Sequence, residues 1–322
     1  MVCGLGLHAM GGLLCLLRQL GISEGASSMA IRRMEGVLND WLLPQVSGWG
    51  TPEEVEAEMD FFYTKARFPR VIGALDGSYV PIWRLHNVQD TPYVNRKSSI
   101  SLNGVFVASC DYRFHFVSAR FPGSMHDANT WKSTGLYQQM KAGILPHPRG
   151  VLIADDAYPL DTFVMRAKRA VEEEADQLFN DALARTRYVV ECALGMLKQC
   201  WWSLNHRLRG RTAEVNVLRV QAAVALYNFR RSGGRLGFGP ILQQPFGDGD
   251  QPEPGLQPEY AASLNDSTVL HYKAFRRPEQ APRRRRANNN QGQGNNQRQG
   301  NQRREDLRLA NRVRDEIIAT FR

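Results

Sequence analysis

Residues Val71 to Ile82 read VIGALDGSYVPI, and this segment is predicted to form the centre of the folded chain. Its apolar first half predicts a buried strand that ends at Asp76-Gly77, a strand-to-turn signal, and a second strand is predicted to begin at Tyr79. A carboxylate at the edge of an apolar sheet needs a hydrogen-bond donor, a cation or a metal, because an isolated buried charge is very costly. Asp-Gly is also ordinary turn chemistry, so the role of Asp76 depends on the rest of the chain.

The residues that follow predict a mixed sheet covered by helices. Apolar alternation and short apolar runs predict strands at 100–110, 114–120, 151–154 and 163–165. Helical periodicity is found at 53–63, 126–141, 176–202 and 214–230. Three meandering strands followed by strands added in parallel, with helices between them, predict an α/β fold with a mixed sheet of about five strands.

The chain before this stretch is expected to be helical. Within residues 1–50, residues 13–43 have the cadence of a helix-turn-helix, with an apolar helix, a turn at Gly21 and a second amphipathic helix. An ordinary helical hairpin would give the same pattern. If the motif enters a DNA groove, the residues on or near the entering helix are Ser27, Ser28, Arg32 and Arg33.

The last third of the chain differs in composition. Residues 51–235 hold the predicted sheet, whereas residues 236–304 form a linker rich in Pro, Gly, Gln, Asn and Arg. Such a linker cannot bury a core, so we expect disorder. Apolar periodicity returns in residues 305–322, which are predicted to form a closing helix that docks on the core.

The basic charge is concentrated in this tail. The net charge is +9, and residues 276–304 carry nine arginines and one glutamate, so the rest of the chain is close to neutral. The run Arg283, Arg284, Arg285 and Arg286 is typical of a nuclear import signal or a non-specific DNA clamp. A solvated spacer is the alternative, and base stacking is not expected because no aromatic residue interrupts the run.

The remaining composition excludes several classes of protein. Five scattered cysteines without a CxxC pair argue against a zinc ribbon or a disulfide framework. The apolar stretch 1–17 is too short to span a bilayer and has no positive region before it, so no membrane association is expected. A hydrophobic content of 43% supports a real core.

Three carboxylates carry the chemistry that we expect. Asp76 and Asp155 each follow a predicted strand, and Glu191 borders the apolar face of the long helix. Converging carboxylates repel each other unless cations neutralise them, and Mg²⁺ or Mn²⁺ prefers such oxygen ligands. Two such ions support phosphodiester displacement. The alternative for Glu191 is an ordinary ion pair with Arg187 or Lys198.

Five blocks and a closing segment carry a resemblance to a known family. They are, in order, FPRVIGALDGSYVPI, YVNRKSSISLNGVFVASCDYRF, FPGSMHDANTWKSTGLY, VLIADDAYPL, FNDALARTRYVVECALGMLK and the final NRVRDEIIATF. The chain resembles the transposases of the PIF/Harbinger superfamily and the nucleases domesticated from them. The resemblance implies an RNase H-like fold and a DDE site that binds divalent metal (Mg²⁺ or Mn²⁺), with DNA as partner and substrate. It also implies a nuclear location, with the cytoplasm as a second compartment, and a separate Myb-like DNA-binding protein. The sequence leaves the oligomeric state open between a monomer and a homo-oligomer.

The resemblance also assigns residues. The DDE carboxylates carry over to Asp76, Asp155 and Glu191, with Asp155 preferred to Asp156 because it stands three residues before Tyr158-Pro159. Accessory candidates are His126, Asp127 and Asp156, although His126-Asp127 also fits a helix N-cap. The block Asn95, Arg96 and Lys97 suits phosphate contact, or is a solvated loop.

Two function hypotheses follow from these assignments. The first is a metal-dependent DNA endonuclease or strand-transferase. The second is a catalytically inactive domesticated module that binds DNA or recruits a protein. Two departures from the family pattern, Ser78-Tyr79 for Thr-His and Cys192 for Arg, favour the second. A third hypothesis is a helix-turn-helix regulator in which residues 13–43 alone bind DNA.

Overall fold

The computed structural model describes residues 21–234 and 292–322, with the side chains of residues 24 and 292–300 left aside. Five strands form one sheet: β1 (Val71–Pro81), β2 (Ser101–Ala108), β3 (Phe114–Pro122), β4 (Val151–Ile153) and β5 (Val164–Met165). Their order is β3-β2-β1-β4-β5. The first three strands are antiparallel neighbours, whereas β4 is parallel to β1 and β5 is parallel to β4. The predicted mixed α/β sheet of about five strands is therefore confirmed.

The helices cover both faces of the sheet. In chain order they are α1 (Glu24–Val37), a π-helical segment (Leu38–Leu42), α2 (Leu43–Val46), α3 (Pro52–Ala66), α4 (Asp127–Lys132), α5 (Gly135–Lys141), α6 (Glu174–Cys200), α7 (Ala213–Arg231) and α8 (Gly292–Ala319). Short 3₁₀ turns occupy Thr91–Tyr93 and Trp202–Leu204. Within the described ranges, no helix is both long enough and apolar enough to cross a membrane.

The stretch that was expected to turn at Asp76-Gly77 is one continuous strand. Asp76 pairs with Phe106 and Gly77 with Val105, in a register that runs without a break to Pro81. A full cross-strand partner satisfies the backbone groups that a turn would leave to water. Asp76 therefore lies in the middle of β1 and not at a strand end, which corrects the prediction.

Two predicted helices also differ from those observed. The single helix expected over 126–141 is split, because Thr134 accepts a hydrogen bond from the Tyr137 backbone N–H and begins a new helix, α5. The closing helix begins at Gly292, well before residue 305, so the end of the stretch expected to be disordered is helical. A docked helix extends at little cost once nucleated, and Ile317 and Ile318 of α8 are buried. The rest of that linker lies outside the described residues.

Candidate active site

Two of the predicted acidic residues meet where β4 ends beside β1. The ladder between these strands runs from Val71 to Ala74 on β1, and β4 ends at Ile153. Beyond that point the ladder with β4 has ended while β1 stays paired with β2, and Asp76 on β1 and Asp155 just after β4 lie near enough across the crevice for their charges to interact. Such a crevice at the carboxyl end of a parallel strand is where open α/β sheets bind ligands.

Helix α6 brings the third carboxylate. Its apolar face, which includes Val190, Ala193, Leu194 and Leu197, packs into the same cluster as Ala74 and Val80 of β1. This packing fixes the rotation of α6 and leaves Glu191 at the border of the core, with a side chain 19% exposed. The helix therefore holds Glu191 towards the β1 face that carries Asp76.

One guanidinium joins the acidic residues. Arg187 forms an ion pair with Glu191 one turn later on α6, and its Nη1 lies 3.7 Å from Oδ2 of Asp76. Its charge also acts on Asp155, where it opposes the rise in the pKa of that carboxyl. Arg187 thus contacts Asp76 and Glu191, and Asp155 lies near enough for its charge to act on Asp76. The predicted ion pair of Glu191 with Arg187 is present, and Lys198 has other partners.

Burial dominates the electrostatics of the pair of aspartates. Desolvation raises the pKa of Asp76 to about 7, with smaller upward contributions from Asp155 and Glu191. The Gly77 backbone N–H, 2.7 Å from Oδ1, and Arg187 oppose this rise. Desolvation also raises the pKa of Asp155, whose Oδ1 accepts a hydrogen bond from the Ala157 backbone N–H at 2.9 Å. Shifts of this cause, clustered in one crevice, are a recognised property of functional sites.

A further carboxylate reaches the crevice from the other side of β1. A Cβ at Gly77 would lie 3.1 Å from Oδ1 of Asp127 and 2.8 Å from the hydroxyl of Tyr158, so glycine permits this close approach. Asn103 Nδ2 donates to the same Asp127 oxygen at 2.9 Å. The hydroxyl of Tyr158 is buried and has no partner within the part of the chain that is described. Asp127 thus lies beside the crevice, where its charge acts on Asp155, and its accessory role stays a prediction.

The oxygen donors suit the divalent cation that the resemblance implies. The converging side chains are all carboxylates, which Mg²⁺ and Mn²⁺ prefer over nitrogen or sulfur. The guanidinium of Arg187 and the unpartnered hydroxyl of Tyr158 show that this crevice accommodates positive charge and has spare polar capacity. Among residues 21–234 and 292–322, no three acidic, histidine or cysteine side chains are already grouped as a ligand set. The acids are arranged around Arg187, so cation binding requires that side chain to move.

The other accessory candidates lie outside this constellation. Asp156 faces away and pairs with Arg166 and Arg169, 3.6 and 3.1 Å from its carboxylate oxygens. His126 is exposed and occupies the N-cap position of α4, but its side chain makes no capping hydrogen bond. His126 therefore lies at the N-cap position that the alternative prediction gave it, but without the side-chain hydrogen bond that N-cap residues usually form.

The predicted phosphate-contacting block divides into two parts. Asn95 is buried, donates to Ser101 Oγ at 2.8 Å and accepts the backbone N–H groups of Lys97 and Ser99. It shapes the loop and has no face open to a ligand. Arg96 and Lys97 are exposed, and the Arg96 guanidinium lies 5.9 Å from the centre of the Tyr79 ring. Any phosphate contact of this loop therefore falls to Arg96 and Lys97.

Only part of the expected helix-turn-helix lies within the described residues. Helix α1 begins after Ser23, whose side chain caps it, and Arg32 and Arg33 are exposed on it. Ser27 is buried and donates to the Ser23 carbonyl at 3.0 Å, so it is committed to the helix start. The first helix of the expected motif, and the run Arg283 to Arg286, lie outside the described residues. Ser28 is half-buried on α1.

Sequence reasoning assigned no role in the site to several side chains. Arg187 was considered only as an ion-pair partner, although a position four residues before Glu191 on one helix face indicates contact. Lys198 is 3% exposed, and its Nζ donates to the Tyr79 carbonyl at 3.1 Å and lies 3.4 Å from Ser78 Oγ. Tyr158 and Asn103 could be placed in the site only through pairings that are distant in sequence.

Comparisons with known proteins agree with this geometry. Residues 75–228 match the sequence model of a family described as DDE superfamily endonuclease. The protein named "Putative nuclease HARBI1" is 31% identical in Bos taurus over 174 residues and 30% identical in Homo sapiens over 174 residues, each alignment covering 53% of this chain and 48% of the relative. The Rattus norvegicus protein of the same name is 28% identical over 245 residues, covering 73% and 68%.

These alignments cover part of each relative. The chain spans about half the length of the first two relatives. No solved structure gives a significant match. The matched region contains Asp76, Asp155 and Glu191, whereas α1 and α8 lie outside it.

Proposed function

We propose that this chain, whose residues 75–228 belong to the DDE endonuclease superfamily and are homologous to a Harbinger transposase-derived nuclease, is a divalent-metal-dependent DNA endonuclease or strand-transferase of Harbinger type. The observation that carries the proposal is that Arg187 pairs with both Asp76 and Glu191 while the charge of Asp155 acts on Asp76. Three acids from a strand, a loop after a strand and a helix serve no purpose in packing. Holding them together has a cost in repulsion that a cation offsets.

Each residue of the site has its own role in this proposal. Asp76, Asp155 and Glu191 would hold Mg²⁺ or Mn²⁺, which supplies Lewis-acid activation for phosphodiester displacement when bound. Asp127 lies close enough for its charge to raise the pKa of Asp155, and Asn103 holds it there by a hydrogen bond. Arg187 neutralises Asp76 and Glu191, and its guanidinium would be a donor to a phosphate oxygen.

Two adjacent aspartates provide a matched test of this proposal. Plasmid DNA is incubated with Mg²⁺ or Mn²⁺ and wild type, Asp155→Ala or Asp156→Ala. Asp155→Ala should lose more than the roughly 10- to 100-fold that removal of an outer-shell partner costs. Asp156→Ala should keep most activity, because that side chain pairs with Arg166 and Arg169. Equal cleavage by wild type and Asp155→Ala, or by all three proteins, would overturn the mechanism.

A second candidate function has its own observation. Arg187 already neutralises Asp76 and Glu191, so the fold is electrostatically satisfied without a metal, as in an inactive module that binds DNA or recruits a protein. The two functions differ in metal binding. A rise in melting temperature with Mn²⁺ that disappears in Glu191→Ala supports the enzyme. No shift in wild type, together with retained DNA binding, supports the module.

Location and partners remain proposals from the family resemblance. These proposals are a nuclear location, a separate Myb-like DNA-binding protein and self-association. Co-purification of the tagged full chain from nuclei tests the Myb-like partner. Light scattering of the purified chain tests self-association.

A further inference from the structure

A second surface, distinct from the carboxylates, lies where β1 leaves the sheet. Residues 207–211 run alongside the end of β1 as an extended segment. The Leu208 backbone N–H donates to the Pro81 carbonyl at 2.9 Å, and its own carbonyl accepts from Trp83 at the same distance. The His86 backbone N–H closes the ladder on the Arg211 carbonyl at 2.9 Å. The two segments therefore form a short parallel pair that no local sequence pattern announces.

This pair presents arginines on one side. Leu208 and Gly210 are buried, whereas Arg207, Arg209 and Arg211 alternate with them and are exposed. Between residues 201 and 212 the sequence has no acidic residue. No carboxylate in the described chain forms an ion pair with any of the three, so their charge is available to an external anion.

An aromatic ring stands among these charges. Trp83 is 47% exposed, and the guanidinium carbons of Arg207 and Arg209 each lie 5.6 Å from its ring centroid. The ring and Arg209 border a groove of about 560 Å³ whose other walls are Arg84, Leu85, His86, Gly210 and Arg211. Aromatic rings and guanidinium planes are both platforms on which unpaired bases stack.

The surface is rigidly held. The buried side chain of Asn216, in the first turn of α7, accepts the Gly210 backbone N–H at 2.8 Å and donates to the Gly210 carbonyl at 3.2 Å. A Cβ at Gly210 would come within 2.4 Å of that side chain, so glycine is required there. The arginines and the ring are thus presented by a fixed backbone, which lowers the entropic cost of binding.

We infer that this basic-aromatic groove, bordered by Trp83, Arg209 and Arg211 with Arg207 against the Trp83 ring, binds an unpaired nucleic-acid strand, with a base stacked at Trp83 and phosphates at the arginines. A duplex is a poor occupant because its bases are already stacked on each other. The inference rests on the proposed function only for the identity of the strand as DNA. Seven residues of extended chain separate Trp83 from Asp76, a span of about 23 Å. A stacked strand covers that span in about seven nucleotides.

The experiment measures binding and not cleavage. The full chain carrying Asp76→Asn, without divalent metal, is titrated into a fluorescent oligothymidine, an abasic strand of equal length and a duplex. The measurement uses raised salt, which lowers phosphate-only affinity. Oligothymidine should bind more tightly than the abasic strand, and Trp83→Ala should weaken oligothymidine binding by about 5- to 100-fold. Trp41→Ala, which removes a comparably exposed tryptophan (57%), should change nothing.

The arginines have a separate signature. Arg207→Ala and Arg209→Ala should each reduce the salt slope of binding by about 1, whereas Trp83→Ala should leave that slope unchanged. Equal binding of the abasic strand, or equal affinity of Trp83→Ala and Trp41→Ala, would overturn the inference, as would equal competition by an acidic peptide. Base-dependent binding in a chain that cleaves no DNA would leave the groove standing and remove the proposed function. DNA cleavage by a chain whose binding does not depend on Trp83 would remove the inference about the groove and leave the proposed function standing.

Discussion

The buried amine of Lys198 gives a prediction that the structure makes quantitative. Its Nζ is within hydrogen-bond reach of two neutral oxygens, Ser78 Oγ and the Tyr79 carbonyl, and no described carboxylate pairs with it. Burial, with a smaller contribution from the charge of Lys97, lowers its pKa from 10.5 to about 7. Because the unfolded chain binds this proton more tightly than the native chain, the free energy of unfolding should rise with pH between about 7 and 10.5.

The magnitude follows from the shift. At 1.36 kcal/mol per pKa unit, the buried amine costs about 5 kcal/mol at pH 6 and about 2 kcal/mol at pH 9. Lys198→Met removes this cost but leaves an acceptor without a donor, a loss of about 1–3 kcal/mol that does not depend on pH. The variant should therefore be more stable than wild type at pH 6, and its advantage should shrink by about 3 kcal/mol by pH 9.

Urea unfolding of both proteins at several pH values between 6 and 9 measures this difference directly. The comparison cancels other groups that titrate in the same range, since both chains contain them. Lys132→Met, at an exposed position, serves as the control and should show no pH-dependent difference from wild type. A stability difference between Lys198→Met and wild type that stays constant from pH 6 to 9 would show that the native amine keeps an ordinary pKa.

Two further predictions concern packing around the sheet. Asn228 is fully buried and forms hydrogen bonds with the backbone N–H and carbonyl of Phe114 and with the Val46 carbonyl. Asn228→Ala should therefore lower the free energy of unfolding, measured by urea unfolding, by about 2–5 kcal/mol. A loss under 1 kcal/mol would show that water replaces these bonds. Gly77→Ala should displace the Tyr158 hydroxyl and Asp127, because its Cβ would lie 2.8 and 3.1 Å from them. DNA cleavage should fall at least tenfold with little change in folding; unaltered cleavage would exclude a role for that close approach.

Local patterns in the sequence predicted the sheet and its helices because apolar alternation and helical periodicity report burial directly. They failed at Asp76-Gly77, where a turn signal is overridden by pairing with β2, a partner that only the folded chain supplies. They also failed at 126–141, where Thr134 competes for the backbone and splits the helix.

The candidate site was predictable to a different degree. Asp76, Asp155 and Glu191 were identified through the order of the blocks, and Arg187 could have been placed by helical spacing alone. The buried position of Asn95 inside its own loop was not predictable, since exposure of a polar loop residue is the usual expectation. The stacking of Trp83 with arginines from a distant segment depends on a parallel bridge that leaves no trace in local sequence.

A metal ion shared by Asp76, Asp155 and Glu191 would be visible in an anomalous difference map from a crystal of the full chain soaked with Mn²⁺. We expect a peak between the three carboxylates, with the Arg187 guanidinium moved away from Asp76 and Glu191. If the map has no peak there and Arg187 still joins the two acids at saturating Mn²⁺, the three carboxylates do not share a metal ion.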